Sequence, residues 1–118
     1  MPSVRQLYFY KHYFRDFYRK QSQKVQKKIL WTLEVIENLD RIPGVYFKHL
    51  ENTDGLYEIR VQVGSDIFRI FCFFEEHNLI VIGNGFQKKA QKTPVDEIQR
   101  AKKIKNEYHE EKQSDKSK

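Results

Sequence analysis

The stretch from Gly55 to Phe74, GLYEIRVQVGSDIFRIFCFF, leaves this chain little conformational choice. Two strand-like runs, Leu56 to Val63 and Asp66 to Phe74, flank Gly64-Ser65, and glycine at the first of two loop positions is what a type II′ hairpin turn requires. A two-residue loop sets the register. It puts Val63 opposite Asp66, Val61 opposite Phe68, Arg60 opposite Arg69, Ile59 opposite Ile70, Glu58 opposite Phe71 and Tyr57 opposite Cys72. One face then carries Tyr57, Ile59, Val61, Phe68, Ile70 and Cys72, a core face by composition. The other carries Glu58, Arg60, Gln62 and Arg69, with Ile67, Phe71 and Phe73 beside them. Because side chains alternate with period 2, both arginines emerge on the same side. Like charges directly opposed on a sheet repel. Either Glu58, diagonal to Arg69, offsets them in an ion-pair cluster, or an anionic ligand does.

The 118 residues suffice for one domain with a modest core, expected over residues 1–110. After Tyr108 the chain runs HEEKQSDKSK with no apolar anchor, so residues 111–118 are expected to form a charged, disordered tail. Lys and Arg outnumber Asp and Glu by 22 to 16, which favours a nucleic acid or an acidic protein as partner, although solvated lysines would give the same count. The single cysteine, Cys72, falls on the inferred core face and reads as a small buried hydrophobe in a reducing compartment. The N-terminal run MPSVRQLYFYKHYFRD is too short and too charged for a secretory signal or a spanning helix, so a soluble, cytoplasmic protein with no membrane partner is expected.

Along the chain, Val4 to Tyr10 reads as a first strand and Tyr13 to Lys20 as a short aromatic helix. Ser22 can cap a helix over Gln23 to Leu39, in which Val25, Ile29, Leu33 and Ile36 form one stripe and Lys24, Lys27 and Lys28 much of the other side. Trp31 lies off that stripe; a partly exposed aromatic that a protein partner could use is one reading of it, and a side wall of the core is the expected one. Asp40 to Gly44 stops the helix, and Val45 to Leu50 is a short mixed connection holding Lys48 and His49. A further strand starts at Leu79 and meets Gly83-Asn84-Gly85. The basic loop Gln87 to Lys92 follows, and Thr93-Pro94 can cap a last helix with Ile98, Ala101, Ile104 and Tyr108 on one stripe. The expected fold is α+β, a small antiparallel-rich sheet with an N-terminal helical hairpin and a C-terminal helix, the helices on one face.

No Walker loop, nucleophile elbow, zinc-protease motif or metal-spaced His or Cys pair occurs, and no cofactor or metal is expected. What remains is Arg60 and Arg69 on the sheet, Lys88, Lys89 and Lys92 after the last strand, and Lys48 and His49 before the hairpin. Together they could form one concave patch suited to a phosphodiester. RNA can be cut by its own 2′-hydroxyl if the protein aligns it, stabilises the added negative charge at phosphorus and assists proton transfer. Arginine forks and lysine point charges suit that task.

With GLYEIR, then IFRIFCFF, then IVIGNGFQKKAQKTPVDEIQRAK, residues 4 to 108 resemble the HigB-like branch of the RelE/ParE toxin superfamily of bacterial toxin–antitoxin systems. The resemblance implies a RelE-like fold and a ribosome-dependent endoribonuclease that cleaves mRNA. It also implies neutralisation by a cognate antitoxin, expected to be a small helix-turn-helix protein. Arg60 and Arg69 match basic positions that the RNA-cleaving members place on the central sheet, and Lys88-Lys89 matches their basic position after the last strand. Two departures concern the proton-transfer groups: Glu58 stands where RelE has a second lysine, and Lys92-Thr93-Pro94 where RelE has a tyrosine. The candidate catalytic set is therefore Arg69, Arg60, Glu58, Lys88 and His49, with Lys48, Lys88, Lys89 and Lys92 as RNA contacts. Glu58 would act as a base or hold Arg69. The same superfamily contains ParE-like inhibitors of DNA gyrase, and a non-catalytic binding module is a third alternative.

Overall fold

The central hairpin forms in the register its turn demands. In a computed structural model that describes residues 3–116, β3 (Leu56–Val63) pairs antiparallel with β4 (Asp66–Glu76), with Val63 opposite Asp66 and Arg60 opposite Arg69. Gly64 takes φ 61°, a conformation an L side chain resists, which is why glycine begins this turn. The hairpin is the middle of a five-stranded sheet ordered β1-β5-β4-β3-β2. β5 (Leu79–Lys88) continues the antiparallel meander, and β2 (Phe47–His49), within the segment expected to be a mixed connection, adds a short edge to β3. β1 (Gln6–Phe9) lies parallel to β5 at the other edge.

β5 runs unbroken through its glycines because the irregularity is absorbed as a bulge. Cys72 pairs with Ile82 and Ile70 with Gly85, so Gly83 and Asn84 together oppose Phe71. Gly85 lies under a helix: a Cβ there would sit 2.6 Å from the Phe17 ring. Close approach of that helix to the strand thus requires glycine.

α1 (Tyr13–Arg19) and α2 (Gln23–Asn38) cover the first face of the sheet. Ser22 caps α2 as expected, its hydroxyl accepting from the Val25 amide at 3.3 Å. At the other end the Arg5 guanidinium donates to the carbonyls of Ile36, Leu39 and Asp40 at 3.0, 2.6 and 2.7 Å, satisfying acceptors that a helix C-terminus leaves open. Val25, Ile29, Leu33 and Ile36 meet Ile59, Val61, Phe68, Ile70 and Cys72 in the larger core. Cys72 is buried there, and burial pushes its thiol pKa well above the ordinary range.

Two expectations about the helices change. α3 (Val95–Lys116) packs on the opposite face, where Ala101, Ile104 and Tyr108 join Phe71, Phe73, Leu56 and Val81 in a second core. β4 is apolar on both faces, so its run of Ile70 to Phe73 needs cover on each side. Nor does the helix stop at residue 110: α3 continues to Lys116, with polar contacts where the apolar anchor is missing. Lys112 pairs with Glu75 on β4, and Lys11 holds Glu107 and Glu111 at 2.9 and 2.8 Å. The hydroxyls of Tyr10 and Tyr13 also donate to Glu107, at 3.1 and 3.0 Å. Positions 117 and 118 of the expected tail lie outside the described residues. No helix among those residues is long and apolar enough to cross a membrane.

Candidate functional site

On the face that α3 only partly covers, the cross-strand pair Arg60 and Arg69 stands beside Glu58. The Glu58 carboxylate lies 3.9 Å from Nε of Arg60 and 3.8 Å from Nε of Arg69. Glu58 and Arg69 are 5% and 6% exposed, so this is a buried ionic cluster, whereas the Arg60 side chain remains 30% exposed. These separations exceed hydrogen-bond length. Nε of each arginine is buried without a hydrogen-bond partner, and Arg69 spends one Nη1 donor on the Phe68 carbonyl at 3.0 Å. Burial first, and the charge of Arg60 second, lower the Arg69 pKa, with Glu58 opposing. One carboxylate for two guanidiniums leaves net positive charge and unspent donors at the same spot. That is the electrostatic signature of an anion site.

Lys88, Lys48 and Thr93 complete the cluster. Lys88 pairs with Ile67 at the end of β5 and so shares the face of Arg69. Its pKa is lowered, first by burial and then by Arg69, Arg60 and Lys48, against the opposing pull of Glu58. An ammonium held this way gives up its proton more readily than a solvated lysine. Lys48 sits directly opposite Glu58 across β2–β3. Thr93, expected to cap α3, instead turns its hydroxyl to donate to Glu58 Oε2 at 3.3 Å, which brings the basic loop back over the sheet.

The structure therefore gathers Lys48, Glu58, Arg60, Arg69 and Lys88. Lys89 and Lys92 stand exposed on the link between β5 and α3. His49 does not belong to the group. It pairs with Tyr57, on the face of the larger core, and packs against that ring with centroids 5.1 Å apart. Adjacent residues of a strand point to opposite faces, so Lys48 and His49 could not both serve one site.

Beside Arg60 opens a cleft of about 350 Å³, whose walls include Lys28, Val45, Tyr46, Gln62 and both arginines. Sequence reasoning placed Lys28 among the solvated helix lysines and did not single out Tyr46. Trp31 is 44% exposed, not a side wall of the core, and it packs edge-on against Tyr46. Its place off the apolar stripe of α2 was the available signal. Among the described residues no group of three or more His, Cys, Asp or Glu is placed to hold a metal ion.

Among curated proteins none matches this chain. The sequence profile of the phage-derived protein Gp49-like family (DUF891) matches residues 16–106, a span that includes α2, the whole hairpin, the arginine cluster and most of α3. With the fold compatible with that of RelE and the match covering most of the chain, the protein belongs to the Gp49-like family, a RelE-like family of toxin-like proteins.

Proposed function

We propose that the protein is the toxin of a toxin–antitoxin pair and acts as an endoribonuclease on ribosome-bound mRNA, the RNA's own 2′-hydroxyl attacking the adjacent phosphorus. The observation that carries this reading is the side-by-side placement of Arg60 and Arg69 with Lys88 and Lys48 around a single carboxylate. A phosphodiester entering there meets preorganised donors, and as charge grows on its oxygens those donors bind it more strongly than in the ground state. Arg69, fixed by burial, holds the phosphate; Arg60, partly exposed, meets it first.

Lys88, with its lowered pKa, is the group best suited to move a proton at the leaving 5′-oxygen. Glu58 serves to orient Arg69. It is buried, already accepts from Thr93 and faces both guanidiniums, an environment that favours holding cations over abstracting a proton from a substrate. A toxin of this kind requires a neutralising partner, for which a cognate antitoxin with a small helix-turn-helix domain is the candidate.

The test is primer extension on a reporter mRNA in cells expressing the wild type or Arg69→Ala. Wild type should cut only translated RNA, and Arg69→Ala should lower the cleavage rate about 10²- to 10³-fold, the usual cost of losing one transition-state donor. Its circular dichroism spectrum should remain that of the wild type. Growth arrest with intact mRNA, or an Arg69→Ala variant that cuts normally, would refute the proposal.

A further inference from the structure

The cleft beside Arg60 has a composition that phosphate binding alone does not need. Its lining combines the two arginines with apolar wall from Val45 and Tyr46. Val45 is 66% exposed, so its side chain is open to whatever enters the cleft. Tyr46 is braced from behind: its ring meets Trp31 at 5.3 Å and 75°, and Lys28 Nζ lies 4.3 Å over the indole. Gln62 donates one amide hydrogen to the Gly64 carbonyl at 3.0 Å, which leaves its oxygen to accept. A second, more apolar groove walled by Trp31, Val63 and Lys24 adjoins the cleft and shares Lys28 and Gln62 with it. Cations beside a held aromatic, an amide with an open acceptor and a volume of about 350 Å³ match one nucleotide better than an extended peptide.

We propose that this cleft is a nucleobase subsite: the base next to the phosphate held by Arg60 and Arg69 stacks on Tyr46, and Gln62 reads its edge. This inference rests on the RNA-cleaving reading of the arginine cluster and adds to it a place where base identity enters. The adjoining groove, lined by Trp31 and the lysines of α2, takes the following nucleotide.

The chain contains a single tryptophan, Trp31, which walls the adjoining groove and packs against Tyr46, so its fluorescence reports on the groove and, through Tyr46, on the cleft. The probes are a 2′-O-methyl hexaadenylate, which cannot be cut, and an abasic oligomer of the same length and charge, with binding followed by Trp31 emission and by anisotropy of a labelled strand. The hexaadenylate should quench Trp31 and bind about 5- to 150-fold more tightly than the abasic oligomer. Tyr46→Ala and Tyr46→Leu should erase that difference while the salt-dependent binding of the abasic strand persists, and Tyr46→Phe should retain it. Equal binding of the two oligomers by the wild type would overturn the subsite and leave the phosphate site standing. Absence of binding by both would overturn the subsite, and the primer-extension test would then decide separately whether the RNA-cleaving reading falls with it. Quenching of Trp31 by an acidic peptide in preference to either oligomer would overturn the subsite in favour of a protein-docking role.

Discussion

Glu58→Gln isolates the electrostatics of the site. It preserves size and an acceptor for the Thr93 hydroxyl but removes the one negative charge facing Arg60 and Arg69. At a separation near 4 Å and an effective dielectric of about 20, the buried Glu58–Arg69 attraction is worth about 4 kcal/mol. The Glu58–Arg60 pair, with a guanidinium 30% exposed, adds no more than about 1 kcal/mol. Part of this is returned because a neutral amide is cheaper to bury than a carboxylate, while the repulsion between the arginines is the same in both proteins. The net cost is then about 3 kcal/mol, at the lower end of what breaking a buried pair costs. For a domain of this size that corresponds to a fall in Tm of about 10–15 °C.

Urea denaturation should show the loss as a lower midpoint with an unchanged slope. Inorganic phosphate should stabilise the Glu58→Gln variant more than the wild type, since the anion takes over the role of the missing carboxylate. A loss under about 1 kcal/mol, or equal stabilisation of both proteins by phosphate, would refute the claim that Glu58 offsets the arginine pair.

Two further outcomes follow from the packing and from α3. Gly85→Ala puts a methyl 2.6 Å from the Phe17 ring and should destabilise by about 1–3 kcal/mol, with Phe17→Leu in the same chain recovering much of it; simple additivity in thermal melts would argue against the contact. Hydrogen bonds from Lys112 to Glu75, and from Lys11 to Glu107 and Glu111, hold all three carboxyl pKa values below the ordinary carboxylate range. With folded pKa values depressed, their stabilisation is complete above the unfolded value of about 4.3 and is lost as pH falls through the folded values. The thermal midpoint should therefore drop on the acid side, less steeply in Glu75→Gln, and an identical acid profile for that variant would remove Glu75 from the account.

Much of this arrangement was legible in the sequence because it depends on local rules. A two-residue turn with glycine first dictates register, and register with period 2 places Arg60 beside Arg69, diagonal to Glu58. Ser22 before an apolar stripe likewise located α2. These features depend on neighbours along the chain or across one turn, so a pattern of residues suffices to specify them. The assignment of His49 to the site was not of this kind. It treated nearness in sequence as nearness in space, and the pleat of β2 separates His49 from Lys48.

What only tertiary structure decided is how distant segments share the two faces of one sheet. The choice of face for α3 turns on which side of β4 still lacks cover once α1 and α2 have docked, and both sides of that strand are apolar. The helix beyond residue 110 persists through ion pairs with Lys11 and Glu75, residues remote in sequence that no local propensity could anticipate. Thr93 reaches Glu58, and Tyr46 meets Trp31, only because the sheet and α2 bring them together. By itself the sequence determined that two arginines share a face. The fold decided that Arg69 is buried and Arg60 partly exposed around one carboxylate, both lining a cleft with an aromatic wall, because burial and field are properties of everything that packs around a residue.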